Sequence, residues 1–141
     1  MVRMKNRLTT IALALWWGSL SALGGYVVPM LFANLPTPAM AGNLAGKLFS
    51  AQSWLSLACG GVVLLAIRRN SDQASAKWSY GAIGIVAFGM LAALLIEFAI
   101  APRILARDHL RLWHAVGSAL YVVQWLCAGL LLWRATRHPA P

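Results

Sequence analysis

Acidic residues, cysteines and charged residues in general are scarce in this sequence. Only three of its 141 residues are Asp or Glu and 11% are charged, whereas 60% are hydrophobic. This composition excludes an ordinary soluble domain, whose surface needs a larger charged fraction, and the length corresponds to a single domain. The two cysteines, Cys59 and Cys127, stand alone within apolar runs, which argues against a disulfide framework or a CxxC metal site. We therefore expect lipid to surround most of the chain.

Four long apolar stretches are present instead. They run over residues 8–32, 48–67, 80–101 and 112–133, and each has about the twenty residues that a helix needs to cross the hydrocarbon core. Helices are expected because lipid cannot satisfy backbone polar groups. Since the connections are short, consecutive helices should be up-and-down neighbours. The sequence therefore predicts an all-α integral membrane protein in which residues 1–141 form one domain, an antiparallel four-helix transmembrane bundle.

The first apolar stretch begins like a secretory signal, because Arg3, Lys5 and Arg7 precede it. It is too long for a signal, since its apolar character continues without interruption to Phe32. We therefore expect it to remain in the protein as the first span. Small residues on this span are expected to pack against the neighbouring helices. They are Gly18, Ala22 and Gly25.

The basic residues predict the orientation in the membrane, because Lys and Arg accumulate in cytoplasmic loops. Eight fall on the side of the two termini: Arg3, Lys5, Arg7, Arg68, Arg69, Lys77, Arg134 and Arg137. Four fall on the opposite side: Lys47, Arg103, Arg107 and Arg111. Both termini are thus predicted to be cytoplasmic, in the inner membrane of a bacterium. The net charge of +9 has the same explanation, and nucleic-acid binding is not expected.

The segment between the first two spans contains residues that end and start helices. Pro36 and Pro38 should end the first helix, and Thr37 is suited to cap a new helix with Pro38 at its first position. This predicts a short amphipathic helix outside the membrane that leads into the second span. Gly42 and Gly46 are four residues apart and would allow this helix to approach a neighbour closely.

Three arginines in the other outer connection are also spaced by four. Arg103, Arg107 and Arg111 would line one side of a helical linker. Two interpretations are open, in which this row contacts lipid phosphates at the interface or binds an anionic ligand. Membrane lipids are expected partners of the chain in either case.

Polar residues inside the predicted spans are the best candidates for a functional site, because hydrocarbon penalises them unless they face the bundle interior. Glu97 lies inside the outer end of the third stretch, where a charged carboxylate needs a partner. Gln52, His114 and Ser118 lie at a similar depth, within roughly 10 Å of the same interface. These four residues form an expected polar cluster, while no catalytic motif is indicated.

On the fourth stretch, His114, Ser118, Tyr121 and Trp125 share one helical face, which we expect to point inward. Three interpretations of the polar cluster are open. Glu97 and His114 form a buried pair that fixes helix packing, or His114 binds haem or copper, or Glu97 carries protons in a solute transporter. A neutral imidazole in an apolar pocket suits a metal, but the sequence offers only one well-placed His.

Several short motifs follow one another in a particular order. They are PMLFANLPTPAMAGNLAGKLF at residues 29–49, APRI at 101–104 and RLWHAVGSALYVVQWL at 111–126. In this order they resemble the bacterial domain-of-unknown-function family 4149, which is related to transmembrane protein 205 of animals. The positions that match the family pattern are Pro29, Phe32, Ala41, Gly42, Gly46, Pro102, Arg103, Ile104 and His114.

The resemblance implies the four-span fold and no particular chemistry. The plan is also remotely similar to the copper-resistance D membrane domain and to the haem-binding protoporphyrinogen oxidase of bacteria, which is the second ground for a haem or copper function at His114. We expect a structural or accessory binding function rather than an enzymatic one. The alternatives are haem or copper handling and proton-coupled transport. A protein partner or a second copy of the chain is left open.

Overall fold

The computed structural model describes residues 2–70, 76–107 and 109–137, with side chains described for 7–68, 80–107 and 109–137. The regular structure in these ranges is helical throughout. In chain order the helices are α1 Val2–Ala22, α2 Val28–Asn34, α3 Pro38–Asn70, α4 Ala76–Leu95, α5 Ala101–Leu105 and α6 Leu110–Arg137. Two π-helical turns, Leu23–Val27 and Ile96–Ile100, join α1 to α2 and α4 to α5.

Four continuous helical segments are long and apolar enough to cross a membrane. They are span 1, Arg7–Asn34; span 2, Pro38–Arg68; span 3, Tyr80–Leu105; and span 4, Leu110–Arg137. Span 1 packs against spans 2 and 4, and span 3 packs against the same two, so the helices form a square in chain order. The chain is thus a multi-pass membrane protein built as an all-α four-helix bundle. Each predicted apolar stretch lies within one span.

The segment before the second membrane crossing is helical, but it is continuous with span 2. The Thr37 hydroxyl accepts a hydrogen bond from the Met40 backbone N–H at 3.3 Å, which caps the first turn of α3 at Pro38. From Pro38 the helix continues to Asn70. The short outer helix is therefore the first part of a longer one, because no proline or capping residue separates Lys47 from the apolar stretch that follows.

Spans 1 and 3 contain the same irregularity. A π-helical turn, Leu23–Val27 in span 1 and Ile96–Ile100 in span 3, is followed two residues later by Pro29 or Pro102. A proline within a helix lacks a backbone N–H, and its ring collides with the carbonyl one turn earlier. The wider π turn separates these groups, so each helix continues through its proline. The sequence pattern did not predict these turns.

The glycines at the helix contacts are not the expected ones. Gly18 and Gly25 have open space where a side chain would begin, and Ala22 is exposed, so the prediction for these residues was wrong. An added Cβ atom would lie within 3.2 Å of a neighbouring side chain at Gly24, Gly60, Gly89, Gly117 and Gly129. The inward face of span 1 carries the large side chains of Trp16 and Leu20, so most of the small residues that accommodate them lie on the other spans.

The glycine pair at the start of α3 also faces away from the bundle. Gly42 and Gly46 are exposed and have open space where a side chain would begin. The buried small residues here are Ala41 and Ala45, and α3 packs against α2 in this region of the protein. The expected close approach through the two glycines was therefore wrong, since the inward face of the helix is the one that carries the alanines.

The three outer arginines do not share a helix face. Arg103 lies in α5, which ends at Leu105, whereas Arg111 lies in the first turn of α6. Arg107 lies between them with a left-handed backbone, φ 55°. Spans 3 and 4 are antiparallel neighbours joined by a connection of four residues, 106–109, so the helix cannot continue through Arg107. The predicted row along a helical linker was wrong.

Candidate functional site

A group of hydroxyl and amide side chains joins spans 1 and 2. Gln52 is 7% exposed, and its Nε2 atom donates hydrogen bonds to Ser19 Oγ at 2.9 Å and to Ser56 Oγ at 3.3 Å. The two hydroxyls donate in turn to backbone carbonyls, Ser19 to Trp16 and Ser56 to Gln52. The amide is therefore held by its own helix and by the neighbouring one, as a polar group in hydrocarbon must be.

A second polar contact joins spans 2 and 3. Glu97 lies within the π-helical turn of span 3 and is half-buried, and its Oε1 atom accepts a hydrogen bond of 2.7 Å from the Ser50 hydroxyl. Trp54 and Phe98 pack edge to face beside it on the outer surface, with ring centroids 6.2 Å apart. The carboxylate thus has a partner on the adjacent span.

His114 and Ser118 do not join either contact, because both are exposed at the surface of span 4. The inward face of that helix carries Gln124, which is 1% exposed. At 3.6 residues per turn, His114 is rotated roughly 80° away from Gln124, whereas Trp113 is in phase with it. Within the described residues, Glu97 therefore bonds to Ser50 and the expected pair with His114 is not formed.

The deepest polar contact was missed in the sequence. Trp16 is fully buried, and its indole Nε1 donates a hydrogen bond of 3.2 Å to Gln124 Oε1 across the bundle. A Cβ atom at Gly89 would lie 3.1 Å from this indole, and one at Gly60 would lie 3.6 Å from it, so the ring touches spans 2, 3 and 4. The sequence did contain a signal for this contact, because Gln124 is an amide side chain in the middle of an apolar stretch.

A groove opens sideways between spans 1 and 4. Its volume is about 370 Å³, and its lining is almost entirely apolar. The lining residues are Leu20, Ser21, Gly24, Gly25, Tyr121, Val122 and Trp125. Two hydrogen bonds close the base of the groove: the Tyr121 hydroxyl donates to the Leu20 carbonyl at 2.7 Å, and Trp125 Nε1 donates to Ser21 Oγ at 2.8 Å. The polar ends of these aromatic side chains are thus bound internally, and their apolar faces line the groove.

Tight packing holds the two walls of the groove together. A Cβ atom at Gly24 would lie 2.9 Å from the Tyr121 ring, so only glycine lets this ring approach the π-helical turn so closely. Gly25, the next residue, has open space beside it instead and forms part of the free surface. The face of span 4 expected to point inward is therefore half-buried at Tyr121 and Trp125.

The end of the bundle opposite the termini has an arginine side chain stacked on an aromatic ring. The Arg103 guanidinium lies 4.1 Å from the ring centroid of Trp113, which fixes the turn between spans 3 and 4 by a cation–π contact. Arg107 and Arg111 are exposed. Arg111 is the nearest of the three along the chain to His114 and Ser118, which follow it on span 4.

The model of the family described as Domain of unknown function (DUF4149) matches residues 11–112 of the chain. The chain belongs to this family. Searches of curated proteins and of solved structures gave no match. The DUF4149 match includes spans 1 to 3 with the Gln52 and Glu97 contacts, and most of span 4 lies beyond it. Because the family has no assigned function, membership indicates a shared sequence pattern and leaves the activity to be argued from the site.

The positions expected from the sequence to match the family pattern lie towards the end of the bundle opposite the termini, and one of them, His114, lies beyond the matched residues 11–112. Pro29 and Pro102 follow the two π-helical turns, and Arg103 stacks on Trp113. Phe32 is exposed on α2. These residues do not converge on one pocket; they shape the outer ends of spans 1 and 3 and the turn that leads to span 4.

The residues near His114 do not provide a set of metal ligands. Within the described part of the chain, no three His, Cys, Asp or Glu side chains lie close enough together to hold one ion. Cys59 is buried away from the surface on which His114 lies. A copper or zinc site needs several converging donors, and among the described residues this exposed imidazole is not part of such a group.

Proposed function

We propose that this protein is an accessory membrane protein that acts by binding at its lipid-facing side, and that it catalyses no reaction. The observation that carries this proposal is the groove between spans 1 and 4, whose walls are formed almost entirely by apolar and aromatic surface. An apolar concave surface with fixed aromatic walls is the usual form of a binding site for an apolar group.

The interior supports binding at the side rather than passage through the bundle. Trp16 is fully buried and touches the other three spans, so it blocks the bundle axis. Gln52 and Glu97 are each bonded to serines of the bundle. A transport pathway needs a continuous row of polar groups, and the indole separates the outer polar contacts from the other half of the protein.

The distribution of charge supports an inner-membrane location with both termini in the cytoplasm. The side of the termini has eight basic residues and the other side four. Four crossings place both ends of the chain on one side of the membrane, so a single asymmetry of charge orients the whole bundle. The outer end of the groove then faces the periplasmic leaflet.

The experiment that tests the proposal is photo-crosslinking in native membranes. A photoreactive amino acid replaces Val122, which lines the groove and is 52% exposed. The matched control replaces Leu65, which is 61% exposed on span 2 and lies outside the groove. We expect an adduct of defined mass at position 122 and only diffuse lipid labelling at position 65.

Equal and diffuse labelling at both positions would contradict the proposal, because a specific site would then be absent from the groove. A proton flux in reconstituted vesicles that depends on Glu97 would contradict it as well, since it would require a pathway past Trp16. The adduct at position 122 also shows what kind of molecule occupies the groove, because lipids and proteins differ in mass.

A further inference from the structure

We propose that the occupant of this groove is an anionic phospholipid, with an acyl chain against the π-helical turn of span 1 and its headgroup at Arg111. This inference rests on the proposed function and names the ligand of the same site. Three observations support it: the apolar lining of the groove, the change in helix contacts at the π-helical turn, and the basic residues of the outer connections.

Span 1 changes its neighbouring helices at the π-helical turn. Below the π-helical turn, α1 packs against both α3 and α6, whereas above the turn α2 packs against α3 and has at most a weak contact with α6. The turn therefore directs the outer part of span 1 away from span 4, and the wall of the groove opens there. Gly25 leaves the backbone of the turn uncovered, since nothing lies within 4 Å of the place where its side chain would begin. An extended chain can enter from the outer leaflet and lie along this surface.

The size of the groove favours an acyl chain over a helix. Its volume is about 370 Å³. One turn of an α-helix, with a diameter of about 10 Å and a length of about 5.4 Å, occupies roughly 400 Å³. A single turn of a partner helix would therefore take up the whole volume, whereas an unbranched hydrocarbon chain can lie along the groove and continue beyond it. The apolar walls provide the contacts that such a chain makes.

The surface continues from the groove to a positive charge. On span 4, Arg111, His114, Ser118 and Val122 follow helical spacing on one side of the helix, and all four are exposed. Arg111 lies 11 residues before Val122 in the sequence, which corresponds to roughly 16 Å along the helix axis. This is about half of the hydrocarbon thickness of about 30 Å, the depth of one leaflet. A lipid whose tail lies at Val122 thus has its headgroup at Arg111.

The charge at this end complements a phosphate. The outer connections contain four basic residues, Lys47, Arg103, Arg107 and Arg111, against the single acid Asp108. The guanidinium of Arg103 is stacked on Trp113, while the side chain of Arg111 is exposed on the face of span 4 that leads to Val122. A guanidinium binds a phosphodiester through two parallel hydrogen bonds, and the His114 and Ser118 side chains add polar groups below it.

In the test, full-length protein is reconstituted in vesicles of equimolar phosphatidylglycerol and phosphatidylcholine. The protein is then extracted in mild detergent, and its bound lipids are identified by native mass spectrometry. We expect the wild-type chain to retain one phospholipid, enriched in phosphatidylglycerol over the vesicle composition. Arg111→Gln should retain one lipid but lose the enrichment, which is roughly fivefold for one basic residue beside an anionic headgroup. Gly25→Leu should retain none, because the new side chain fills the groove.

Gly18→Leu is the matched control, since Gly18 also has open space beside it but lies outside the groove. It should retain lipid as the wild type does. If Gly25→Leu fails to fold, Val122→Trp fills the groove from the opposite wall and should abolish retention in the same way. Thermal unfolding and gel filtration identify which variants are folded.

Three results would overturn the lipid assignment: no retained lipid in the wild type, unchanged retention in both folded groove-filling variants, or unchanged enrichment in Arg111→Gln. These results leave the proposed function separately testable. If the crosslink at Val122 then joins a protein of defined mass, the groove is a binding site whose occupant is a protein. If that crosslink is also absent, both proposals fail together.

Discussion

The indole of Trp16 and the amide of Gln124 are joined by a hydrogen bond of 3.2 Å although 108 residues separate them in the sequence. Both side chains are almost fully buried, and they connect the first and last spans at the centre of the bundle. In hydrocarbon neither group has water as an alternative partner. This contact helps to close the square of helices, together with the bonds from Tyr121 to Leu20 and from Trp125 to Ser21, and the indole blocks the axis of the bundle.

We expect Trp16→Phe and Gln124→Leu each to destabilise the bundle, because each leaves the other polar group without its partner. A double-mutant cycle should give a coupling free energy of about 1 kcal/mol, typical of hydrogen bonds between membrane helices. Thermal or denaturant unfolding in detergent provides the measurement. Trp54→Phe is the control, since Trp54 is 56% exposed and should tolerate the change. Additive effects of the two substitutions would contradict the contact.

A glycine on span 3 provides a second test of the packing around Trp16. A Cβ atom at Gly89 would lie 3.1 Å from the Trp16 ring and 3.3 Å from Cys127 Cβ, so Gly89→Val should force these groups apart. We expect a loss of about 1–3 kcal/mol in the free energy of unfolding, as overpacking generally costs. Gly84→Val on the same span should have little effect, because Gly84 faces open space. Equal effects at the two positions would mean that helix propensity, not contact with Trp16, determines the outcome.

The spans could be predicted from the sequence because their signal is local. Each apolar stretch is long enough to cross the membrane regardless of its neighbours, and the cap at Thr37 and Pro38 is also a local pattern. The π-helical turns before Pro29 and Pro102 could not be predicted in the same way. A proline predicts either a break or a distortion, and the choice depends on the neighbouring helices that hold the span together.

The inward faces were harder to predict than the spans. In a soluble helix polar residues mark the outside, but here nearly every position is apolar, so the pattern gives little information about rotation. Gln52 was correctly expected to lie inside, whereas His114 and Ser118 are exposed and Gln124 was overlooked. The residues predicted to share one face of span 4 do follow helical spacing. The direction in which that face points depends on contacts such as Trp16 with Gln124 and Tyr121 with Leu20.

The polar contact between spans 2 and 3 predicts unequal effects for two residues at similar depth. Glu97→Ala should lower the unfolding temperature in detergent, because it removes the acceptor of the 2.7 Å bond from Ser50. Ser50→Ala should lower it as well, and the two effects should not add, with a coupling of about 1 kcal/mol. His114→Ala should leave the temperature unchanged, since His114 is exposed on span 4. A destabilisation by His114→Ala as large as that by Glu97→Ala would contradict this arrangement.

Elemental analysis directly tests the hypothesis that His114 binds haem or copper. No three His, Cys, Asp or Glu side chains converge within the described part of the chain, so the residues there do not form a copper or zinc site. Haem iron needs only an axial ligand, but His114 is exposed and does not line the groove between spans 1 and 4. We expect protein purified from native-like membranes to contain iron, copper and zinc far below one equivalent, and His114→Ala to have the same content. His109→Ala is the matched control for loss of an outer imidazole. One equivalent of metal that is lost in His114→Ala but kept in His109→Ala would contradict this expectation and show that the exposed face of span 4 binds metal.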